Sequence, residues 1–245
     1  MKTGKIKILD GATGTMLNKM GMPKDICTER FVLENPDVFR RLQSDYIEAG
    51  SDAVLAPTFG ANIPSLTRHG FSKDDADEIC SNLARISLDN AAGKALVGGD
   101  ISPTGKLLKP YGNAEPDEVF DVYKTQAQSC VKAGVDFIIA ETMISAAEAV
   151  IAARAVRAVS SDIPLLISLT VNENGRTMSG DSLEAVLIIL SQYNIQGFGC
   201  NCSRGPDVVY NALLPVSGIA KKLGIPPEKF IEHFIRYERM VKADE

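Results

Sequence analysis

The feature that most constrains the fold is a regular alternation of short apolar runs with amphipathic helical stretches. The runs are nearly continuous, rich in Val, Ile, Leu or Phe, and occupy residues 5–12, 52–61, 94–102, 135–143, 163–171 and 195–202. Such runs are typical of strands buried on both faces of a parallel sheet. The strings EAGSDAV and KAGVDFI repeat one join, in which a helix ends at Gly and the next strand begins. The sequence therefore predicts consecutive βα units with right-handed crossovers.

Helical spacing of apolar residues fills the gaps between these runs. It predicts helices over 37–49, 117–132, 145–159, 182–190 and 207–223, and a further one from Pro226 or Pro227 nearly to the end, with Phe230, Phe234 and Tyr237 on its apolar side. Gly50, Gly134 and Gly224 are placed to cap helix C-termini.

Polar, glycine-bearing segments follow the predicted strands: DGATGT, PTFGAN, GDISPTG, AETMIS and CNCSRG. In a closed barrel such segments meet at the mouth, where the active site lies, and a barrel domain has about 250 residues. No Gly-x-Gly-x-x-Gly turn follows the first strand, which disfavours dinucleotide binding. We therefore predict an α/β fold, a single (β/α)8 TIM-type barrel domain over residues 1–245, although strands seven and eight are missing from the pattern. An open sheet remains the alternative.

Charge and composition exclude several classes of function. The net charge is -5, the pI is about 5.2, and no run of Lys or Arg stands out, so a nucleic-acid or anionic-membrane partner is disfavoured. No stretch reaches the roughly 20 apolar residues of a membrane span, and the start lacks the apolar core of a signal peptide. We expect a cytoplasmic protein. Five cysteines, an odd number, disfavour a disulfide framework.

The strand ends resemble the homocysteine S-methyltransferase family, and most of all the homocysteine-binding barrel of cobalamin-dependent methionine synthase. The matching pieces are LDGATGTML (9–17), APTFGAN (56–62), GDISPTG (99–105), AETMIS (140–145), NENGRTMSG (172–180) and GCNCSRGPD (199–207), in the family's order across residues 5–210. The resemblance implies transfer of a methyl group to the thiol of homocysteine, giving methionine. The DGATGT motif is more similar to the cobalamin-dependent branch, which implies a methyl-corrinoid donor such as methylcobalamin, carried by a separate corrinoid-binding domain or protein.

The resemblance also implies the residues of the site. Glu141 would bind the α-ammonium of homocysteine, with loop anchoring as its structural alternative. Asp10 would bind substrate or fix the following turn, while Gly11 and Ala12 would let backbone N–H groups approach the substrate carboxylate. Thr58 and Asp100 occupy matching strand ends and are placed in the pocket. Asn201 is expected to point away from it by strand alternation.

Family members hold a zinc ion with three cysteines, and the substrate thiol takes the open position. Cys202 matches the first ligand and is predicted to be both a zinc ligand and the catalytic cysteine. The other two belong to a Gly-Gly-Cys-Cys-Gly motif that this sequence lacks. Cys200 could face the same side as Cys202, because residues two apart on a strand do, but a packed side chain is the simpler interpretation. His69 and His233 are expected to be surface or structural residues.

Three explanations account for the incomplete zinc site: a longer natural chain, a natural truncation, or completion by a partner or a second copy, which leaves a homo-oligomer open. The alternative functions are a zinc-less homologue acting as a non-catalytic interaction protein and a methyltransferase that uses S-methylmethionine. An unrelated barrel enzyme acting on a small anionic metabolite would require the motif matches to be coincidental.

Overall fold

The computed structural model describes residues 7–223 and forms one parallel sheet within that range. Its strands are β1 (Ala53–Leu55), β2 (Leu96–Ile101), β3 (Phe137–Met143), β4 (Leu165–Leu169) and β5 (Gly197–Cys200). Every strand pairs in parallel with the next one along the chain, so each connection crosses over through at least one helix. This is the parallel α/β arrangement that the alternating pattern predicts.

The five helices predicted within residues 7–223 are present, with ends shifted by at most two residues. The helices are α1 (Thr13–Lys19), α2 (Thr28–Glu34), α3 (Pro36–Glu48), α4 (Ile63–Arg68), α5 (Ala76–Ala91), α6 (Pro116–Ala133), α7 (Ala146–Val159), α8 (Leu183–Leu190) and α9 (Gly205–Lys222). Gly50 and Gly134 follow α3 and α6 with φ of 106° and 96°, as C-terminal caps require. The predicted cap at Gly224, the helix after Pro226 and His233 lie outside the described residues. None of the helices in residues 7–223 is both long and apolar enough to cross a membrane.

The first apolar run differs from the prediction. In its described part, Leu9 makes a single parallel bridge to Ala53, and the Asp10 amide donates to the Ala53 carbonyl at 2.9 Å. The run therefore joins the edge of the sheet beside β1 without forming a full strand. Residues 7–223 contain no strand beyond β5.

Four helices lie outside the predicted ranges, namely α1, α2, α4 and α5, and the first two of them follow the first run. In α1 the one fully buried residue is Leu17, so its seven residues show no apolar periodicity. In α2 the pattern is cut short by Asn35 and Pro36, where the next helix starts. Short helices of this kind are stabilised by tertiary packing more than by propensity, which leaves little trace in the sequence.

The two faces of the sheet pack differently. One face packs against the helices in the main core, while the other carries a small cluster formed by Ala53, Leu55, Phe137 and Ile139. Gly98 provides the space that the Phe137 ring occupies, because a Cβ on Gly98 would collide with that ring. The small cluster therefore lies apart from the main core.

The loop between β4 and α8 is tied to α7 by Asp181. Its carboxylate accepts hydrogen bonds from the Ala146 amide at 2.9 Å and from the hydroxyls of Thr177 and Ser179 at 3.0 and 2.8 Å. Burial raises the pKa of this carboxyl, but the three hydrogen bonds outweigh burial and hold the pKa below its ordinary value. The loop that contains the NENGRTMSG segment is thereby fixed at the mouth.

Candidate active site

A cavity of about 470 Å³ lies at the carboxyl ends of the strands. Its volume falls within the roughly 300–1,000 Å³ of small-molecule sites. Five of the predicted site residues line it, namely Gly11, Ala12, Asp100, Glu141 and Cys202. The described residues that line the cavity include acidic side chains and no Lys, Arg or His. This composition favours a ligand that presents a cationic group.

Glu141 reaches the cavity because β3 is irregular at its end. The register with β4 shifts between Ala140 and Met143, and Thr142 between them has φ of 59°. Bulges of this kind turn a side chain away from the regular alternation and occur often beside active sites. A β-branched residue at positive φ is strained, so the surrounding contacts must hold Thr142 in place.

Asn201 provides those contacts. Its Oδ1 accepts from the Thr142 amide at 3.0 Å and from the Ser168 hydroxyl at 2.7 Å, and its Nδ2 donates to Thr142 Oγ1 at 2.9 Å. The same Nδ2 lies 3.4 Å from Glu141 Oε2 and 3.5 Å from Cys202 Sγ. Asn201 lines the cavity, so the expectation that it points away is wrong. The strand ends at Cys200, and simple alternation does not extend past that residue.

Cys202 is exposed and has φ of 51°, the second non-glycine residue of the site in the left-handed region. Its sulfur accepts from Thr142 Oγ1 at 3.6 Å, and its carbonyl accepts from Thr170 Oγ1 at 3.1 Å. The loop after β5 is therefore fastened to β3 and β4 at once. The acidic side chain of Glu141 and the thiol of Cys202 are held by the shared partner Asn201.

Asp10 and Thr58 lie next to the cavity but do not line it. Asp10 is buried, and its Oδ2 accepts from the Leu55 amide at 3.0 Å. The Thr58 hydroxyl donates to the Asp100 carbonyl and accepts from the Asp100 amide, both at 2.9 Å. These side chains continue the pairing of adjacent strands, which places Asp100 at the cavity wall. The Asp10 carboxylate thus has a structural contact to β1, which differs from the following turn that the sequence offered as its structural alternative.

Gly11 is required for a reason that the sequence did not reveal. A Cβ on Gly11 would lie 2.6 Å from Tyr46, whose hydroxyl donates to the Ala12 carbonyl at 3.1 Å. The glycine therefore admits the tyrosine of α3 against the turn after the first run. The turn that lines the cavity is held by this contact.

Glu29 and Phe59 also line the cavity, although neither was among the predicted site residues. Glu29 is in α2, outside every predicted helix, and its carboxylate is buried against the β1–α4 loop 31 positions away. Phe59 lies in the quoted motif APTFGAN, and its side chain is 41% exposed. The position of Phe59 within a polar strand-end motif was the one available signal.

The described residues do not provide a zinc site of the family's kind. Cys200 lines the cavity but is buried, and burial raises the pKa of its thiol to about 12. Within residues 7–223, no three His, Cys, Asp or Glu side chains lie close enough together to hold a metal ion. Cys202 is the exposed thiol at this end of the sheet, and His69 ends α4 outside the cavity lining.

The amino-acid sequence matches a known protein family over most of its length. The model of the homocysteine S-methyltransferase family matches residues 7–242, and the chain belongs to that family. It is 28% identical to methionine synthase of Mycobacterium tuberculosis over 91% of this chain and 20% of that protein. It is 24% identical to homocysteine S-methyltransferase 1 of Arabidopsis thaliana over 90% of this chain and 75% of that protein. The chain thus spans about a fifth of the bacterial relative.

Solved structures agree on the fold. The crystal structure of the homocysteine methyltransferase MmuM from Escherichia coli, oxidized form, has a TM-score of 0.79 at 19% identity, covering 89% of this chain and 80% of that chain. Its metallated form has a TM-score of 0.77 at 20% identity, covering 88% and 81%. At such identities the likeness shows the fold alone, and the predicted α/β fold of the TIM-barrel type is confirmed.

Proposed function

We propose that the chain binds homocysteine in this cavity and transfers a methyl group to its sulfur, giving methionine. The observation that carries the proposal is the convergence of Asp100, Glu141 and Cys202 on one cavity whose described lining has no basic side chain. Glu141 and Asp100 would bind the α-ammonium, and the backbone of Gly11 and Ala12 would receive the carboxylate. Asp10 and Thr58 would act indirectly, by holding the strand ends that carry these groups.

The chemistry requires a thiolate in line with the methyl carbon. The thiol of homocysteine has a pKa near 8.5, so only a few per cent is ionised near pH 7. The sulfur forms a bond to the methyl carbon while the donor–carbon bond breaks, its electrons stay with the donor, and the thiol proton is lost. We propose Cys202 as one zinc ligand and as the protein thiol nearest the reaction. Because residues 7–223 do not supply the other ligands, we assign no step to a metal.

The proposed donor is a methyl-corrinoid brought by a separate module or protein. The support is the similarity to methionine synthase, which extends over 91% of this chain. S-Methylmethionine is the second candidate, because acidic side chains and the exposed ring of Phe59 together suit a small sulfonium cation. Either donor would have to enter at the carboxyl ends of the strands, where Cys202 is exposed.

Calorimetry with homocysteine and the purified chain tests binding before any donor is added. Glu141→Ala is expected to weaken binding roughly 10- to 100-fold, since a charge-assisted hydrogen bond is lost. Glu118→Ala, an exposed acidic residue of α6, is the matched control and should bind as the wild type does. Equal affinity of the Glu141→Ala variant would refute the assigned site.

Methionine formation then separates the donors. We expect product from methylcobalamin, whereas product from S-methylmethionine alone would establish the second candidate. Homocysteine binding without methionine from either donor would support the non-catalytic interaction protein. If the wild-type chain binds no homocysteine at all, the proposed function fails.

A further inference from the structure

The exposed ring of Phe59 forms part of the cavity wall, and the peptide unit that joins Phe59 to Gly60 is held at both its carbonyl and its amide. The Ser102 hydroxyl donates to the Phe59 carbonyl at 2.5 Å. The next amide, that of Gly60, donates to Glu29 Oε1 at 2.7 Å. Because Phe59 is 41% exposed, packing around its side chain is incomplete. These two hydrogen bonds therefore help to hold the peptide unit that positions the ring.

Glu29 belongs to a different part of the chain from Phe59. It is in the first turn of α2, it is 6% exposed, and it also lines the cavity. Its second oxygen, Oε2, accepts a hydrogen bond from the thiol of Cys27 at 3.2 Å. Burial, and secondarily the charge of Glu29, raises the pKa of the Cys27 thiol, so the thiol keeps the proton that it donates. Each carboxylate oxygen of Glu29 thus has a donor outside the helix.

Gly60 is fitted to this contact. A Cβ at Gly60 would lie 2.6 Å from Glu29 Oε1 and 3.0 Å from Glu29 Cδ. The carboxylate therefore lies directly against the backbone of the β1–α4 loop, at a distance that only glycine allows. The amide of Ala61 closes the same turn by donating to the Thr58 carbonyl at 3.0 Å.

We propose that Glu29 is a positioning residue for the methyl transfer: through the Gly60 amide it fixes Phe59 as the wall against which the substrates bind. The inference rests on the proposed function. Phe59 contacts bound substrate throughout the reaction, so loss of its position should raise KM and the Kd of homocysteine more than it lowers kcat. Glu29 itself does not take part in bond making.

A double-mutant cycle on homocysteine Kd tests this assignment. Glu29→Ala is expected to weaken binding about tenfold, and Glu29→Gln, which keeps an oxygen for the Gly60 amide, about threefold or less. Because Glu29 acts through Phe59, the Glu29→Ala/Phe59→Ala pair should bind as Phe59→Ala alone does. Additive effects of the two substitutions would overturn the proposal. Glu34→Ala, an exposed acidic residue at the end of the same helix, is the control and should not change Kd.

Hydrogen exchange of the Gly60 amide provides a readout that does not depend on substrate. Exchange should accelerate at least tenfold in Glu29→Ala and stay near the wild-type rate in Glu29→Gln. Unchanged exchange in Glu29→Ala overturns the proposal, whatever the cavity binds. If Glu29→Ala does not fold, Ser102→Ala releases the carbonyl end of the same Phe59–Gly60 peptide unit and should weaken homocysteine binding to a similar extent. An unaltered Kd in that variant would contradict the proposal. If the wild type does not bind homocysteine, the proposed function is refuted. The exchange rate of the Gly60 amide would still show whether Glu29 holds that amide.

Discussion

Replacement of Asn201 by Ala should destabilise the protein strongly, because this one side chain satisfies groups on two strands. The Ser168 hydroxyl, which is fully buried, and the Thr142 amide would each lose an acceptor. A stranded buried donor costs about 1–3 kcal/mol, and Thr142 is only half-buried, so its amide should be at the low end of that range. The two together should lower the free energy of unfolding by about 2–4 kcal/mol. That is a large fraction of the roughly 5–15 kcal/mol of total stability that is typical of a folded protein. Thr142, at positive φ, would also lose the contacts that hold it there.

Urea unfolding followed by circular dichroism measures this change as a shift of midpoint at constant slope. Asn174→Ala, in the exposed loop after β4, is the matched control and should stay within about 0.5 kcal/mol of the wild type. In the Asn201→Ala background, Ser168→Ala should cost about 1 kcal/mol less than it does alone, because it removes the stranded hydroxyl. Strict additivity of the two substitutions, or a loss below about 1 kcal/mol for Asn201→Ala, would refute the reasoning.

Three further predictions concern packing, pH and metal. Gly98→Ala should destabilise by about 1–3 kcal/mol through collision with the Phe137 ring, while Gly218→Ala in α9, where a Cβ meets nothing, should stabilise by about 0.5–1 kcal/mol. The pKa of Asp181 is lower in the folded than in the unfolded protein. Its contribution to stability should therefore be complete above the unfolded value near 3.8 and should be lost as pH falls through the folded pKa. We expect Asp181→Ala to lower the free energy of unfolding by about 1–2 kcal/mol at pH 7, and by progressively less below pH 3.8. In equilibrium dialysis the chain should bind zinc more weakly than structural sites, whose binding free energy is about 10–16 kcal/mol, and Cys202→Ser should weaken it further.

Each of these three predictions has an outcome that would contradict it. A stable Gly98→Ala variant would mean that the Phe137 ring can move at no cost. If the difference in free energy of unfolding between the wild type and the Asp181→Ala variant stays constant down to pH 2, the ionised carboxylate of Asp181 is not what stabilises the fold. Tight zinc binding that survives Cys202→Ser would place the metal elsewhere in the chain.

The sequence by itself determined the parallel α/β fold and most of the candidate site. Buried parallel strands are continuous apolar runs, and their polar ends must meet at one edge, so Asp100, Glu141 and Cys202 could be placed at one mouth. The helix ends at Gly50 and Gly134 were equally predictable, because a left-handed cap favours glycine. The strands and the helix caps follow from local periodicity and backbone chemistry, which a single sequence carries. The choice of Asp100, Glu141 and Cys202 among the strand-end residues came from the resemblance to the family.

Only the tertiary structure decided which polar side chains face the cavity. Asp10 and Thr58 are turned to the backbone of neighbouring strands, and Asn201 lines the cavity because alternation ends where β5 ends. Glu29 is buried because Gly60, 31 positions away, leaves room for its carboxylate. Side-chain direction beyond a strand end is set by long-range hydrogen bonds and close contacts between separate segments. Periodicity does not encode such pairings, so they appear only when the chain is folded.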